Sequence, residues 1–266
     1  TRYGTVTGVQ TCALPIFWNC MKDLLQNDKG KLGRPPMNPR NANSGIMYIL
    51  ENGSKWRFLP RYYGKASTVH GTFMRWIRNG VFKSVINRAR EFYLSTLGSV
   101  PMWCAIDASS SKAPYANWSG KNPVDRSKRG IKKNIIVDQH GVPLALSFGP
   151  ANRHDSTFFK ETLEELPFMS TDSMKIIVAD SAYDAKQLKS LARYHGFVLY
   201  AATNKRRNKS IKAITPSLRW KVEASHSWLN NFRSLKICWT KTKEAFVALL
   251  QLGVAMLLFR KCLIFG

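Results

Sequence analysis

The sequence predicts an α/β protein in which a small all-α domain precedes a mixed β-sheet flanked by helices. Two observations predict this architecture. Up to residue 97 the apolar residues recur at helical spacing, whereas after Gly98 they form short continuous runs, as in buried strands. Two of these runs are joined by Asp138-Gln139-His140-Gly141, which is typical of a β-hairpin turn. Strands that alternate with helical segments then favour a layered sheet.

Three short helices are expected in the first part of the chain. In the second of them Val69, Phe73 and Trp76 fall on one face, and Gly80 separates it from the third. Three short helices with a glycine turn are typical of a helix-turn-helix-like DNA-binding module. The predicted helices cover residues 41–51, 68–79 and 81–97.

Two stretches that precede these helices are not expected to join the core. Residues 1–16 show neither a helical nor a strand period and resemble a translated sequencing-adapter read-through, so they are left out of the fold. Residues 27–38 hold several glycines and prolines, which predicts a linker. The predicted domains are therefore a helical DNA-binding domain over residues 17–98 and an α/β domain over residues 99–266.

The second part of the chain predicts a sheet with helices packed against it. The first strand, residues 102–106, is expected to end at Asp107 and to lead into a long polar loop over residues 109–129. The apolar stretch 245–259 is shorter than the roughly 20 residues that cross a membrane, so we expect a buried helix and no membrane partner. The other predicted strands cover residues 134–137, 144–148, 175–179 and 197–201, and the other predicted helices cover residues 158–166, 182–195 and 219–233.

The charge of the chain indicates its class of partner. A formal net charge of +25 favours a polyanion, and double-stranded DNA is the expected one, with a membrane surface or an acidic protein as alternatives. A hydrophobic content of 44% excludes a disordered basic tail. The five cysteines are odd in number and lack zinc-ligand spacing, which indicates a reducing compartment. We expect a cytoplasmic protein.

Three carboxylates are candidate metal ligands. Asp107 and Asp180 follow apolar strands, and binding sites of α/β sheets gather where strands end. Glu223 lies one turn after Arg219 on a predicted helix and is the one acid of a strongly basic segment. Carboxylate oxygens bind Mg²⁺, and two ions about 3.5–4 Å apart support phosphodiester displacement. The alternatives are that each aspartate is a turn or cap residue and that Glu223 forms an ordinary surface ion pair.

Other titratable residues have structural interpretations. Asp138 falls in the hairpin turn, where aspartate is favoured, and Asp155 and Asp184 precede helices as caps. His154 is expected to be structural. For His226, one turn after the candidate glutamate, the alternatives are a structural role, a DNA contact and a hydrogen bond to the site.

The candidate DNA contacts are residues of the predicted linker, the second helix, the basic segment 204–212 and the helix that carries Glu223. They are Arg34, Arg75, Arg78, Lys205, Arg206, Arg207, Arg219, His226 and Arg233.

Several stretches together resemble a known family. In the first part they include Gly33-Arg34-Pro35-Pro36 and Gly53-Ser54-Lys55-Trp56-Arg57-Phe58-Leu59-Pro60. In the second part they include Asn152-Arg153-His154-Asp155, Val178-Ala179-Asp180-Ser181-Ala182-Tyr183-Asp184 and Arg219-Trp220-Lys221-Val222-Glu223. From about residue 17 to the end, the chain resembles bacterial insertion-sequence transposases of the DDE type, in the group named after insertion sequences four and five.

The resemblance implies an RNase H-like catalytic domain over residues 99–266. It also implies that Asp107, Asp180 and Glu223 form the acidic triad, which is catalytic and holds Mg²⁺ or Mn²⁺, with two ions expected. In the family's signature around the glutamate, Arg219 fits. Two positions depart from that signature: Pro216 stands where the family has a tyrosine, and Asn230 stands where it has a basic residue. These departures affect the phosphate contacts expected at the two positions.

The resemblance implies a reaction as well. Water activated by metal cuts a strand at each end of the element, and the freed 3′ hydroxyl then attacks target DNA. Both ends must meet, which implies a homodimer or a larger assembly. The alternatives are a catalytically decayed or domesticated DNA-binding copy, a nuclease that acts on RNA or RNA–DNA hybrids, and a basic structural protein of the nucleoid.

Overall fold

In this computed structural model the described residues form two compact units. The helical unit comprises the described residues up to Leu97 together with those from Leu229 onward, and the sheet unit runs from Gly98 to Trp228. Apart from Pro15, the predicted read-through lies outside the described residues, as does most of the predicted linker. The described residues are 15, 17–26, 35–98, 101–167, 174–201 and 216–265.

The described residues include the predicted helices and strands in their predicted order, together with a short strand and a short α-helix that the sequence does not predict. The helices are α1 (Pro39–Asn52), α2 (Ala66–Arg78), α3 (Val81–Leu97), α4 (Phe159–Glu164), α5 (Lys186–Tyr194), α6 (Pro216–Asn230), α7 (Arg233–Lys236) and α8 (Lys243–Phe265). The strands are β1 (Trp103–Lys112), β2 (Gly120–Lys121), β3 (Arg129–Asp138), β4 (Pro143–Pro150), β5 (Lys175–Ala179) and β6 (Phe197–Ala201).

Helix α1 begins and ends at residues suited to helix termini. The Asn38 side chain accepts a hydrogen bond of 2.9 Å from the Arg40 N–H, and Pro39 is the first helical residue. Gly53 follows the helix in the left-handed conformation, with φ of +63°, and its N–H donates to the Ile49 carbonyl. The three helices predicted in this part of the chain are confirmed, and α3 has the predicted bounds.

Helix α8 is the central helix of the helical unit. Leu250 and Leu258 are fully buried, and Phe259 packs on Phe17 and on Phe92 with ring centroids 5.4 Å apart in each pair. By length and composition alone α8 is apolar enough to cross a membrane, but 67% of that apolar stretch is buried inside the protein. A buried core helix passes the same test, so the predicted buried C-terminal helix is confirmed.

The compact units differ from the predicted domain boundaries in one respect. The sequence assigns residues 99–266 to one domain, whereas the residues from Leu229 onward belong to the same compact unit as the N-terminal helices. The physical reason is the burial of apolar surface, because Phe259 of α8 packs on Phe17 and Phe92, which both precede residue 98. These residues lie far apart in the sequence, and no local pattern indicated that they pack together.

The sheet unit is built on a six-stranded mixed sheet with the order β2-β3-β1-β5-β6, in which β4 also pairs with β3. Strands β1, β3 and β4 are antiparallel, whereas β5 pairs in parallel with both β1 and β6. The predicted hairpin turn is present, and the Asp138 carboxylate accepts hydrogen bonds from the N–H groups of His140 and Val142. A mixed sheet with an N-terminal helical region is the predicted fold class.

The sheet is covered by helices over a continuous apolar core. Phe159 and Leu163 of α4 and Ala192 of α5 pack in one buried cluster with residues of the central strands. The strand residues in this cluster include Ile106 and Ile177, both fully buried. Burial of this apolar surface holds the central strands rigidly in place and so determines where the residues that follow them lie.

Several predicted elements of the sheet unit have different bounds in the structure; the strand predicted over residues 134–137, for example, is β3 (Arg129–Asp138). Strand β1 does not end at Asp107 but continues to Lys112, paired throughout with β3, and β2 interrupts the predicted loop 109–129. Polar side chains allow this extension because an antiparallel ladder is formed by backbone groups. The predicted helix 182–195 is also shorter, since a 3₁₀ turn at Ser181–Tyr183 precedes α5.

Candidate active site

The first two candidate carboxylates lie at equivalent positions along neighbouring parallel strands, Asp107 within β1 and Asp180 directly after β5. The last pair between β1 and β5 is Ala105 with Val178, and Asp107 and Asp180 each lie two residues further on. Beyond this point β1 pairs with β3 alone, with Asp107 opposite Ile135. The two aspartates therefore lie at the point where β1 and β5 part, which is where ligand sites of α/β sheets form.

The third carboxylate comes from α6, together with an arginine that contacts all three. The Arg219 guanidinium lies 3.7 Å from Asp107 Oδ2, 3.6 Å from Asp180 Oδ1 and 3.9 Å from Glu223 Oε1. These separations are those of ion pairs and exceed the length of a hydrogen bond. Three acids from distant parts of the sequence thus surround one positive charge, and we call Asp107, Asp180, Glu223 and Arg219 the acidic cluster.

Helix α6 is held against the β3–β4 turn and against β1. The Ser225 hydroxyl donates a hydrogen bond to the Gly141 carbonyl of the turn. Gly141 has φ of +75°, and a Cβ there would lie 3.1 Å from the Lys221 carbonyl, so the turn approaches the helix closely. His226 Nε2 lies 3.3 Å from the Asp107 carbonyl oxygen. These contacts fix the part of α6 that carries the arginine and glutamate.

The burial of His226 bears on the three roles that the sequence leaves open for it. Its residue is 6% exposed, so it is buried beneath the acidic cluster and does not present its ring to DNA. Burial, with the nearby charge of Lys133, lowers the pKa of His226 to about 3, so the ring is neutral and its Nε2–H donates to the Asp107 carbonyl. The hydrogen bond is the alternative that the structure favours.

A buried chain of polar side chains lies beside the turn that carries Asp180. The Tyr183 hydroxyl donates to Asn134 Oδ1 at 2.9 Å, and Asn134 Nδ2 donates to Thr162 Oγ1 at 2.9 Å. Thr162 in turn lies 2.6 Å from the Ser147 hydroxyl. Buried polar groups that are mutually hydrogen-bonded lock their elements together. The chain therefore fixes the Asp180 turn against β3, β4 and α4.

Asp180 also caps a turn, which is the structural role that the sequence analysis gave as its alternative. Its Oδ1 accepts a hydrogen bond of 2.6 Å from the Ser181 N–H and so caps the 3₁₀ turn. The side chain remains 43% exposed, and that of Glu223 is 62% exposed. Capping orients one face of the carboxylate and leaves the rest open to solvent, so Asp180 can cap the turn and also offer an oxygen ligand to a metal ion.

The negative charge of the cluster is only partly balanced. Burial raises the pKa of Asp107 from 3.8 to about 6, the charges of Asp180 and Asp155 add to this, and Arg219 opposes it. Asp155, interpreted from the sequence as a cap, is thus close enough to act on Asp107, and its own partner is the Lys132 ammonium at 2.6 Å. The Asn152-Arg153-His154-Asp155 stretch was the sequence signal that could have identified it.

The donor chemistry of the cluster fits a hard divalent cation. All three acids offer oxygen ligands, which Mg²⁺ and Mn²⁺ prefer, and the raised pKa of Asp107 indicates a place where added positive charge is favourable. In the described part of the chain, no three His, Cys, Asp or Glu side chains are arranged as a finished metal site. Arg219 lies among the carboxylates, so metal binding requires the side chains to rearrange.

Comparison with known protein families identifies the chain. Residues 99–259 match the family model "Transposase DDE domain", and residues 17–86 match "Putative transposase of IS4/5 family". The chain belongs to the DDE transposase family. Its function is therefore that of a transposase, as the resemblance implied, and a decayed or domesticated copy is not favoured.

Two insertion-sequence proteins are similar in sequence to this transposase. It is 30% identical over 145 residues to the putative transposase for insertion sequence element IS402 of Burkholderia cepacia, covering 52% of this chain and 67% of that protein. It is 32% identical over 105 residues to the IS402 uncharacterized 16.2 kDa protein of the same organism, covering 36% of this chain and 70% of that protein. Among solved structures, a cryo-EM structure of the piggyBac transposase synaptic complex with hairpin DNA aligns with a TM-score of 0.46 at 13% identity, covering 95% of this chain and 74% of that one.

The predicted DNA contacts of the transposase fall in different places. Arg75 and Arg78 lie on α2, the latter exposed, and Arg233 is exposed at the start of α7. Arg219 belongs to the acidic cluster. The departures from the family signature lie at the first and last residues of α6. Four further predicted contacts lie outside the described residues, and they are Arg34, Lys205, Arg206 and Arg207.

Proposed function

We propose that this transposase cuts DNA strands at the ends of its element by metal-dependent hydrolysis and joins the 3′ ends to target DNA. Asp107, Asp180 and Glu223 are the proposed metal-binding, catalytic carboxylates. The observation that carries the proposal is the convergence of these three acids on Arg219, one from within β1, one from the residue after β5 and one from α6. An ordinary surface ion pair for Glu223 would not involve Asp107 and Asp180 as well.

Each residue of the cluster has a stated task in this reaction. The three carboxylates would hold the metal, and their positions are set by β1, the Asp180 turn and α6. When bound, Mg²⁺ or Mn²⁺, as two ions in our proposal, stabilises charge on the scissile phosphate and lowers the pKa of the attacking water. Arg219 would donate hydrogen bonds to phosphate oxygens once the carboxylates bind metal. His226 would keep Asp107 in place by its bond to the strand backbone.

The partner in this proposal is double-stranded DNA, both as element ends and as target. Support comes from the formal net charge of +25 and from exposed basic residues such as Arg78 and Arg233. Joining two ends in one reaction requires them to be held together, so we propose a homodimer or larger assembly on DNA. A bacterial chain that acts on chromosomal DNA works in the cytoplasm at the nucleoid.

A strand-cleavage assay tests the proposal. The substrate is labelled duplex DNA that carries the inverted repeats flanking the gene, incubated with Mg²⁺, Mn²⁺ or EDTA. We expect cleavage that needs the metal and that falls by roughly three orders of magnitude or more in Asp180→Asn and in Glu223→Gln, because each removes a charged oxygen ligand. Glu164→Gln, which removes an exposed acid of α4, is the control and should cleave as the wild type does.

Four outcomes would contradict the proposal. Cleavage in EDTA would exclude metal dependence, and wild-type rates in Asp180→Asn would exclude the acidic cluster. Faster cleavage of an RNA–DNA hybrid than of duplex DNA would favour the nuclease alternative. Binding with a steep salt dependence and no cleavage under any condition would favour a structural nucleoid protein.

A further inference from the structure

The helical unit contains a cavity that the acidic cluster does not use. Its volume is about 400 Å³, which lies in the range of sites for small organic ligands. Trp56, His70, Met74 and Trp239 contribute to its wall. All of its lining residues belong to the helical unit, so none of them is part of the sheet or of the acidic cluster.

The cavity is built by segments whose positions are fixed by direct contacts. The Ser234 hydroxyl donates a hydrogen bond of 2.6 Å to the Ile49 carbonyl, which ties α7 to α1. Trp56 packs against Phe73 and His70, with ring centroids 5.2 Å and 4.9 Å away. A pocket whose walls are held in this way needs little rearrangement to accept a ligand.

The chemistry of the wall is aromatic and basic. Lys55 and Lys241 line the cavity and are exposed, and none of its lining residues in the described part of the chain is acidic. Trp239 is 43% exposed, so part of its indole surface is available to a ligand. Flat aromatic surfaces with neighbouring cations are the means by which proteins hold single nucleotides, since the base stacks and the phosphate pairs with the cation.

We propose that this cavity binds one unstacked nucleotide of DNA, with its base against Trp56 and Trp239 and its phosphate at Lys55 and Lys241. The proposal rests on the proposed function in that DNA is the partner. An acidic peptide would satisfy the lysines but would leave the indole surfaces without a matching planar group, so a nucleotide is the better fit. A nucleotide that is already unpaired loses the least stacking on entering such a pocket.

The experiment measures binding in EDTA, where cleavage plays no part. The full chain is titrated into two duplexes of the same sequence, one fully paired and one with a single bulged 2-aminopurine nucleotide. We expect the wild type to bind the bulged duplex more tightly and to quench the 2-aminopurine fluorescence. In Trp239→Ala the affinity for the bulged duplex should fall by about 5- to 100-fold, the effect of losing one base–aromatic stack, while the affinity for the paired duplex is retained.

Two further variants separate binding from folding. Trp239→Phe keeps an aromatic ring and should retain the preference for the bulged duplex, whereas Lys241→Gln removes one cation without removing apolar packing and should weaken it. Tyr62→Ala is the control, since it removes an aromatic side chain that is 71% exposed and does not line the cavity.

The result that overturns the proposal is a wild type without preference for the bulged duplex, or a preference that survives in both Trp239→Ala and Lys241→Gln. Displacement of the bulged duplex by a glutamate-rich peptide at similar affinity, with no fluorescence quenching, would assign the cavity to an acidic peptide instead. Loss of DNA cleavage with the bulge preference intact would contradict the proposed function alone.

Discussion

Replacing Asp107 by asparagine tests the electrostatics of the acidic cluster. The Asp107 side chain is only 18% exposed, and burial is the main reason that the pKa of its carboxyl rises from 3.8 to about 6. Asp180 and Asp155 add to this rise, and Arg219 opposes it. Asparagine has nearly the same shape but cannot ionise, so the substitution removes the charge and little else.

The sign of the effect follows from proton binding. Between about pH 4 and pH 6 the native chain holds a proton on Asp107 that the unfolded chain has released, so the free energy of unfolding falls as the pH rises through this range. A shift of about two pKa units corresponds to about 3 kcal/mol. We expect Asp107→Asn to be more stable than the wild type by about 1–3 kcal/mol at pH 8, the lower value allowing for the lost ion pair with Arg219, and to gain almost nothing at pH 4.

Urea unfolding in EDTA at pH 4 and pH 8 measures this difference. Glu164→Gln is the control, because it removes one negative charge from an exposed pair with Lys160 and should change stability by less than about 0.5 kcal/mol. An Asp107→Asn variant that is less stable than the wild type at pH 8, or that gains equally at both pH values, would refute the assignment of a costly buried charge.

Three further predictions concern metal binding, the buried polar chain and one turn. Millimolar Mg²⁺ should raise the melting temperature of the wild type at pH 8 but not that of Asp107→Asn; calorimetric scans check this, and equal shifts would count against Asp107 as a ligand. Tyr183→Phe should cost about 1–3 kcal/mol in urea unfolding, because it removes a buried hydrogen bond, whereas Tyr194→Phe, on a residue 86% exposed, should be neutral; similar effects would mean that the buried bond is unimportant. Gly53→Ala should cost roughly 1–2 kcal/mol because φ there is +63°, while Gly71→Ala, in an open position on α2, should stabilise by up to about 1 kcal/mol; equal stabilities would contradict the strain argument.

Elements with a continuous local pattern were predictable from the sequence. Helix α3 and strands β5 and β6 have the predicted bounds, because an apolar period or run is closed at its ends by glycine or aspartate. Strand β1 was predicted too short, since its second half is polar and its pairing depends on backbone groups of β3. The 3₁₀ turn before α5 was missed because a side-chain period does not distinguish a 3₁₀ turn from an α-helix.

Parts of the candidate site were predictable for the same reason. The identity of Asp107, Asp180 and Glu223 as candidate ligands followed from residue type and from neighbours in the chain. The Asn152-Arg153-His154-Asp155 motif could have marked Asp155 as a candidate, but its nearness to Asp107 and the burial of His226 were not predictable, because each depends on which elements pack together. The sequence left three roles open for His226, and its burial favours the hydrogen bond to the site.

The sequence by itself determined that this protein is a basic, two-part α/β chain with three candidate carboxylates and a strong resemblance to one family, since charge, period and motif are local properties. Only the tertiary structure decided that these carboxylates meet at Arg219. Their meeting depends on the register of β1 against β5 and on the contacts that hold α6 to the β3–β4 turn. Such contacts join residues far apart in the chain, and no local pattern encodes them.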